Sequence, residues 1–497
     1  MNNENQLINA RKQKLKLLYD LGVNPYPKSV KRTHHISDIL QNPDKFIENE
    51  EELYVVGRIR ALRKMGKASF FHIEDKSGRI QIYIRRDEVG RENYKVFKKS
   101  DIGDFLQIKG KVFYTNTGEL SVRAKKVKFL VKSIRPIPVV KEKRQDGKKV
   151  LYDQFADKEM RYRKRYLDLL LNPDVKDTFL KRSKIIKFMR NFLDEKDFIE
   201  VETPILQPMY GGAAAQPFIT KHNKLDMELY LRIADELYLK RLIIGGFEKV
   251  YEVCKDFRNE GMDRTHNPEF TQIELYQAYA DYNDVMDLVE EMLTNMSKEI
   301  FGKLQFEYGE YNIDLKTPWQ RKPLLDLIEE YADINIKNMS PEEIIDFCEE
   351  KELELDVKTY GKAIDEIFKN LVEPNLIEPT FVIDYPKEIS PLAKSKSDES
   401  RLVERFEVFI AGMEIGNAFT ELNDPFDQRE RLEEQVKNRE LGDLEANEVD
   451  EDFLEAMEYG MPPTGGLGLG VDRIVMLLTD SHSIKDVILF PQMRKKD

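Results

Sequence analysis

The sequence is poor in cysteine and has no long apolar run. Its 497 residues include two cysteines, Cys254 and Cys348. We expect both to be free thiols, because Cys254 falls on the polar side of a predicted strand, and this indicates a reducing, cytoplasmic setting. No apolar run approaches the ~20 residues of a membrane helix. The first residues also lack the apolar segment of a signal peptide.

Two common nucleotide-binding fingerprints are missing as well. The chain has no G-x-x-x-x-G-K-[ST] loop, and its run GGLGLGVDR at 465–473 spells G-x-G-x-G, not the dinucleotide pattern G-x-G-x-x-G. The glycines instead predict a strand whose backbone an adenine ring can approach. The helix that follows would direct its N-terminus at phosphates, with Arg473 in its first turn.

Positive charge is concentrated in one part of an otherwise acidic chain. Residues 52–150 carry 26 Lys and Arg against 11 Asp and Glu, whereas the whole chain has a net charge of −12. A basic module on an acidic body favours a nucleic-acid partner. A lysine-rich solvated surface gives the same count and, on charge alone, is the simpler interpretation.

The chain is too long for one compact core, so we expect several domains. One segment shows five short strands with a helix after the third, which is typical of an OB-type barrel. In this barrel Phe70 and Phe71 must face opposite sides, so only one of them can stack on a base. The expected domains are an N-terminal helical extension (1–51), the barrel (52–134), a linker (135–150) and a second domain (151–497) with a helical, acidic insertion at about 316–392.

The stretch 247–280 organises the second domain. Residues 247–258 and 268–280 alternate between polar and apolar side chains, which predicts two strands joined by a polar loop. One face of this hairpin collects an arginine, carboxylates, an aromatic ring and a phenol. Such a face suits a nucleotide together with an amino acid.

These motifs, in this order, resemble the class II aminoacyl-tRNA synthetases, and among them the lysyl-tRNA synthetases, over nearly the whole chain. The resemblance implies an α+β fold: an N-terminal OB-fold β-barrel plus an antiparallel catalytic β-sheet flanked by helices. It also implies a homodimer that activates L-lysine with ATP and Mg²⁺ and transfers it to tRNA(Lys). The class motifs are a helix and strand ending at Pro204, the hairpin with FRNEG and RTHNPEFT, and GLGLGVDR; the lysine type is suggested by YGGAAAQPF, LYLRIADELYLKR, ELYQAYADY and MEIGNAFTELND.

The resemblance also implies roles for particular residues. Arg258 would bridge the α-phosphate and the lysine carboxylate, and Arg473 would bind the γ-phosphate, so these two are the predicted catalytic residues. The remaining ATP-binding residues would be Glu260, His266, Asn267, Phe270 and Glu414, with Glu414 and Glu421 as metal ligands. The lysine-binding residues would be Gly212, Glu236, Glu274, Tyr276, Asn417, Phe419 and Glu421, and the anticodon-binding residues Phe70, Gln81 and Glu119.

Local reasoning conflicts with the resemblance at three places. Simple alternation puts Glu414 and Glu421 on opposite faces of a strand, so a bulge or bend at Gly412 or Gly416 is needed if both bind one metal. Asp235 stands where the family usually has proline, and Gln216 where it usually has a basic residue. Without the resemblance, we would interpret Glu236 as an exposed first-turn residue that stabilises its helix dipole.

Two other functions remain open at this stage. An aspartyl or asparaginyl synthetase has the same class motifs, but it would need basic groups facing the substrate side chain. An RNA-binding regulator with a degenerate synthetase body would retain the barrel. The intact set Arg258, Arg473, Glu414 and Glu421 argues against the regulator.

Overall fold

The computed structural model describes residues 2–138, 141–145, 148–152, 155–355, 357–440 and 448–495. The chain divides into two units, Met1–Asp157 and Lys158–Asp497. Among the described residues, no helix is long and apolar enough to cross a membrane. Both cysteines are free, as predicted, and both are buried.

The first unit contains the predicted barrel, which is closed. Its strands are β1 (Leu53–Lys64), β2 (Ala68–Glu74), β3 (Arg79–Arg85), β4 (Phe105–Tyr114) and β5 (Leu120–Val131). They follow the order β1-β2-β3-β5-β4, and β4 pairs again with β1. Alternate side chains such as Val55, Phe71 and Ile82 point inward and are buried, because successive residues of a strand face opposite sides.

The N-terminal helix packs against this barrel. Leu18 is fully buried within the barrel's apolar cluster, and Arg11 Nη2 donates a hydrogen bond to the Ile102 carbonyl oxygen at 3.0 Å. A hairpin of β6 (Lys141–Gln145) and β7 (Lys148–Tyr152) lies where we predicted only a linker. The helices of this unit are α1 (Asn2–Asp20), α2 (Ile36–Gln41), α3 (Pro43–Glu48), α4 (Arg86–Val89) and α5 (Arg91–Phe97).

The second unit is built on an eight-stranded sheet. Its order is β16-β17-β18-β19-β20-β13-β12-β8. The neighbours are antiparallel except at the two edges, where β16 runs parallel to β17 and β8 parallel to β12. The strands of this unit are β8 (Ile199–Glu200), β9 (Leu206–Gln207), β10 (Phe218–His222), β11 (Met227–Leu231), β12 (Lys249–Phe257), β13 (Glu269–Ala278), β14 (Gln305–Tyr308), β15 (Tyr311–Asp314), β16 (Gln320–Pro323), β17 (Thr380–Pro386), β18 (Leu402–Ile410), β19 (Met413–Thr420) and β20 (Thr464–Gly470).

Helices cover one face of the sheet, and the largest apolar cluster lies between these helices and the sheet. Met189, Val289 and Val475 from three helices pack there with Ile273 and Leu469 of the sheet. The helices are α6 (Lys158–Arg163), α7 (Arg165–Leu171), α8 (Pro173–Asp194), α9 (Glu236–Ile244), α10 (Tyr282–Phe301), α11 (Leu324–Ala332), α12 (Pro341–Glu350), α13 (Tyr360–Ile367), α14 (Pro425–Glu440), α15 (Glu451–Glu458), α16 (Val471–Leu478) and α17 (Ile484–Val487), with a π-helix at Phe368–Val372 and short 3₁₀ turns at Ile336–Asn338, Glu373–Asn375 and Lys387–Ile389.

The segment predicted as a helical insertion, 316–392, is only partly helical. Its two ends supply strands β16 and β17, which belong to the eight-stranded sheet. The acidic helices α11 to α13 lie between these strands and form a cluster of their own with β17 and β18. The prediction missed β16 because four residues are too few to establish an alternating pattern.

Candidate active site

A cavity of about 780 Å³ lies in the second unit, where β13, β19 and β20 adjoin the N-terminus of α9. Every ATP-binding and lysine-binding residue predicted for this unit lines the cavity. They come from segments more than 200 residues apart in the chain. These residues are Gly212, Glu236, Arg258, Glu260, His266, Asn267, Phe270, Glu274, Tyr276, Glu414, Asn417, Phe419, Glu421 and Arg473.

Strand β20 forms the floor of the cavity because its glycines leave space between two walls. Gly468 pairs with Asn417 on one side and with Glu274 on the other. Two residues along, Gly466 pairs in the same way with Phe419 and Tyr276. These two rows are about 7 Å apart, since a strand rises about 3.4 Å per residue. That separation suits the four-carbon stem of a lysine side chain.

The side-chain ammonium of Lys240 already bridges two carboxylates, Glu236 and Glu421, at the row that contains Gly466. This is called the far row below, and the row that contains Gly468 the nearer row. Lys240 Nζ lies 2.5 Å from Glu236 Oε1 and 2.5 Å from Glu421 Oε2, and the Lys240 side chain is fully buried. Burial opposes protonation of Lys240, but Glu236 and Glu421 together raise its pKa. Glu236 is 5% exposed, so its interpretation as a solvated first-turn residue is wrong.

One lysine faces two carboxyl groups at this row, so one negative charge is in excess when both carboxyls are ionised. Burial raises the pKa of Glu421 to about 8, although Lys240 acts in the opposite direction. A second ammonium beside Glu236 and Glu421 would remove that excess, because opposite charges favour the ionised carboxylates. Glu236 and Glu421 line the cavity, whereas Lys240 does not. Both carboxylates can therefore contact a ligand in the cavity while they also contact Lys240.

The nearer row, at Gly468, carries the Glu274 carboxylate and the Asn417 amide, and hydrogen bonds fix the orientation of both groups. Gln272 Nε2 donates to Glu274 Oε1 at 2.5 Å, and Tyr276 Oη donates to Glu274 Oε2 at 3.4 Å. Opposite them, Arg405 Nε donates to Asn417 Oδ1 at 3.1 Å. Burial, and after it the charge of Asp235, raises the pKa of Glu274 well above its usual value. A bound ammonium would stabilise the ionised form of Glu274.

A β-bulge directs Glu414 and Glu421 to the same side of β19, with Glu414 beside Arg473 and Glu421 beside Lys240. Phe409 pairs with Glu414 and Val408 with Gly416, so Ile415 is an extra residue on β19. An extra residue reverses the alternation beyond it. Glu414 and Glu421 consequently line the same cavity, and the bend lies next to Gly416, one of the two positions predicted for it.

The other end of the cavity is rich in arginine. Arg258 lies over the Phe270 ring at 5.1 Å from its centroid. Among the described residues, no hydrogen-bond partner reaches the buried Arg258 Nε. Arg473 Nη1 donates to Glu414 Oε2 at 3.0 Å, and Arg473 Nη2 lies 3.2 Å from His266 Nε2. Burial alone would raise the pKa of Glu414, but Arg473 outweighs burial and lowers it.

Hydrogen bonds to neighbouring residues hold the residues of the polar loop. Asn267 Nδ2 donates to the Glu269 carbonyl oxygen at 2.6 Å, and His266 Nδ1 lies 2.7 Å from Asp263 Oδ2. The backbone N–H of Gln216 reaches Glu260 Oε1 at 3.4 Å. Gln216, which stands where the family usually has a basic residue, therefore contacts the loop through its backbone.

Sequence reasoning missed the cations that orient the site's carboxylates and amide. These are Lys240 and Arg405; a third buried cation, Arg232, is 2% exposed and lies 2.7 Å from Glu252 Oε1, which does not line the cavity. The spacing of Glu236 and Lys240, four residues apart on a helix, was the one signal that could have revealed a pair. Arg405 and Arg232 reach their partners only through the folded sheet.

In the first unit, the predicted anticodon residues share one outer face of the barrel. Phe71 is buried, whereas Phe70 is half-buried and packs against Tyr83, with 5.0 Å between the ring centroids. Gln81 Oε1 accepts a hydrogen bond from Ser121 Oγ at 2.8 Å. Glu119 Oε1 lies 3.0 Å from His72 Nε2, and His72 pairs with Gln81 across the strands. Aromatic rings beside amide and charged groups suit single-stranded bases.

Comparisons with known proteins agree with both units. The family model "tRNA synthetases class II (D, K and N)" matches residues 157–494, and the model "OB-fold nucleic acid binding domain" matches residues 53–130. The lysine–tRNA ligase of Carboxydothermus hydrogenoformans is 50% identical over 99% of both chains. The chain belongs to the lysine–tRNA ligase family. The ligase of Pelotomaculum thermopropionicum is 52% identical over 99% of this chain and 96% of its own, and that of Bacillus subtilis 49% over 99% and 98%.

Membership of the lysine–tRNA ligase family confirms the predicted fold class. The closed barrel precedes a large sheet flanked by helices, and the sheet is antiparallel apart from its two edge pairs. It also argues against the aspartyl and asparaginyl alternatives. The whole family model covers these types, so it is the full-length identity of about 50% that makes the distinction.

Proposed function

We propose that the protein is a lysine–tRNA ligase that forms lysyl-adenylate from L-lysine and ATP and then transfers lysine to the 3′ end of tRNA(Lys). The observation that carries this proposal is the pair Glu236 and Glu421 at one end of the cavity, with Arg258 at the other end. An ammonium held by buried carboxylates is favoured, and a neutral side chain would leave their charge unpaired.

Adenylate formation needs positioning more than proton transfer. The lysine carboxylate itself attacks the α-phosphate, pyrophosphate leaves, and no general base on the protein is required. Arg258 would hold both reacting groups in a bidentate fashion, and Phe270 beside it would stack on adenine. Arg473 would neutralise the γ-phosphate.

The nearer row would bind the α-amino group of lysine. Glu274 and Asn417 flank Gly468 there, and Gly212 lies beside Glu236 with a positive φ of 89°. An added Cβ at Gly212 would come within 3.0 Å of the Glu236 Cβ. Glycine thus lets the loop approach the helix carrying Glu236, which supports a role for this loop in closing the pocket.

The residues at the bulge suit Mg²⁺, which is bound by a few carboxylates together with phosphate oxygens. Glu414 would hold it at the arginine-rich end of the cavity. Glu421, the other predicted ligand, lies six residues beyond the bulge, about 20 Å along the chain, and contacts Lys240, so it is too distant to share one ion with Glu414. When bound, Mg²⁺ would neutralise phosphate charge. Glu414 and Arg473, joined by their 3.0 Å contact, would orient each other around the same phosphates.

The barrel would read the anticodon through Phe70, Gln81 and Glu119. Phe70 would stack on a base, and Gln81 and Glu119 would form hydrogen bonds with base edges. Arg123 supports this role, because its guanidinium lies 4.6 Å from the centroid of the Phe113 ring on the neighbouring strand. Cationic and aromatic groups together attract a single strand.

A homodimer is also proposed. Apolar side chains on α8 and the strands after it are exposed in the single chain, and a self-complementary interface would bury them. Size-exclusion chromatography with light scattering should give twice the 58.4 kDa chain mass; a monomer at micromolar concentration would contradict the proposal. The exposed side chains are Leu180, Ile199, Ile205 and Leu206.

Pyrophosphate exchange with each amino acid in turn tests the proposed activity. L-Lysine should support exchange, and aspartate and asparagine should not. Exchange with aspartate or asparagine but not lysine would overturn the substrate assignment. Tight tRNA binding without any adenylate formation would point to the non-enzymatic alternative.

A further inference from the structure

Three buried side chains with metal-binding atoms meet next to the cavity, but none of them lines it. Asp235 precedes α9, and Cys254 and Asp256 are two residues apart on β12, so their side chains share one face of the strand. One ligand atom from each residue lies within 4.8 Å of the others. Asp235 and Asp256 are 0% exposed and Cys254 is 2% exposed.

The distances around the thiol match the edges of a tetrahedral metal site. Cys254 Sγ lies 3.3 Å from Asp256 Oδ2, 3.6 Å from Asp235 Oδ1 and 3.5 Å from the Gln272 carbonyl oxygen. Metal–sulfur bonds of about 2.3 Å and metal–oxygen bonds of about 2.0–2.2 Å at tetrahedral angles put sulfur and oxygen about 3.5 Å apart. Three oxygens surround the sulfur at that separation.

Hydrogen bonds alone do not satisfy all the buried polar atoms of Asp235, Cys254 and Asp256. A thiol has one proton, so it can donate to only one of the three oxygens. Within the described part of the chain, Asp235 Oδ2 is buried without a hydrogen-bond partner. The carboxyl of Glu274 is close enough to share a hydrogen bond with Asp235 when one of the two groups is protonated. An unpaired carboxylate in such a position is costly unless a cation or a proton compensates it.

One arginine does not balance the local charge. Arg232 lies 3.2 Å from Asp256 Oδ1 and 2.7 Å from Glu252 Oε1, so its guanidinium is shared by two carboxylates. Asp235 adds a third negative charge. Arg232 approaches the oxygen of Asp256 that points away from the thiol, as outer partners of metal-binding carboxylates do.

We propose that Asp235, Cys254 and Asp256, with the Gln272 carbonyl oxygen as a fourth donor, form a binding site for a zinc-like divalent cation. A sulfur donor favours Zn²⁺ over Mg²⁺, which prefers oxygen alone. Binding displaces the thiol proton and leaves the Cys254 thiolate on the metal. The site is separate from Glu414 and Glu421, and it would fix the start of α9, where Glu236 follows Asp235.

Because the site is buried, the ion would be taken up during folding. The full-length protein should therefore be produced in medium supplemented with zinc, freed of surface metal by brief chelation, and analysed for metal per chain. The matched variants are Cys254→Ser and Cys348→Ser, since Cys348 is the other buried thiol and lies in a different cluster. We expect one zinc per chain in the wild type and in Cys348→Ser, and less than a tenth of that in Cys254→Ser.

Cobalt provides a readout that distinguishes this site from carboxylate sites. Protein produced with Co²⁺ should show a thiolate-to-cobalt charge-transfer band in the near ultraviolet, absent from Cys254→Ser. Cobalt held by Glu414 or Glu421 would bind without that band. Wild-type protein that lacks both stoichiometric zinc and the cobalt–thiolate band would overturn the proposal, even if Cys254→Ser failed to fold. Equal zinc in the wild type and a folded Cys254→Ser would also overturn it.

Discussion

The charge balance around Lys240 gives a prediction that can be worked through in numbers. With Glu236 and Glu421 both within 2.5 Å of the Lys240 ammonium, this part of the pocket has a net charge of one negative unit when both carboxyls are ionised, as a bound lysine ammonium favours. Glu236→Gln makes it neutral, and Lys240→Met leaves two negative charges. The double variant Glu236→Gln/Lys240→Met returns it to one negative charge.

Glu236→Gln should lower kcat/KM for lysine in pyrophosphate exchange. Removing one partner of a buried charge pair costs about 2–5 kcal/mol. Since about 1.4 kcal/mol is a factor of ten, this corresponds to a loss of about 30-fold to about 4,000-fold. Glu228→Gln is the matched control, because Glu228 is an exposed glutamate on β11, and it should leave exchange unchanged.

Lys240→Met should mainly lower stability. Breaking a buried ion pair by removing one partner costs about 3–5 kcal/mol, so the thermal midpoint should fall. Added L-lysine should restore it in part, because its ammonium can replace the missing cation. Differential scanning fluorimetry with and without lysine measures this effect.

The double variant decides whether the charge argument is correct. If net charge governs binding, Glu236→Gln/Lys240→Met should recover at least tenfold in kcat/KM over Glu236→Gln alone. Contacting residues often show coupling energies of about 0.5–3 kcal/mol in such cycles. A double variant whose loss equals the product of the two single losses would refute the reasoning, and so would a change of less than threefold in Glu236→Gln.

Three further predictions concern the other parts of the molecule. Arg258→Ala should abolish pyrophosphate exchange while tRNA binding, measured by filter retention, stays within about twofold; normal exchange would remove Arg258 from the reaction. Gln81→Ala should reduce tRNA charging and spare exchange, and unchanged charging would show that Gln81 does not read the anticodon. Gly466→Ala should raise the KM for lysine and destabilise the fold by about 1–3 kcal/mol, as overpacking does, because a Cβ would overlap the Glu421 carboxylate and the Tyr276 ring; an unchanged KM would contradict the pocket's position.

Local patterns predicted the elements with their own start and stop signals. Helix α10 has both signals, since Asp281 caps its N-terminus and Gly302 ends it in a left-handed conformation. The hairpin of β12 and β13 followed from alternation over nine and ten residues. Its motifs therefore placed Arg258, Phe270 and Glu274 correctly along the cavity.

Tertiary contacts were not predictable in the same way. A turn at Ala411 and Gly412, both with positive φ, separates β18 from β19. Strand β11 extends to Leu231, and helix α9 begins only at Glu236. The meeting of Asp235 with Cys254 depends on how α9 docks against β12, and no local pattern encodes that contact.

The bulge on β19 explains how one strand can serve both substrates. Asn417, Phe419 and Glu421 occupy alternate positions, so regular pleating would carry the same face to Ile415 and turn Glu414 away. The extra residue instead buries Ile415 in the core, at 1% exposure, and returns Glu414 to the cavity. The arginine-rich end and the acidic end are thereby continuous along β19.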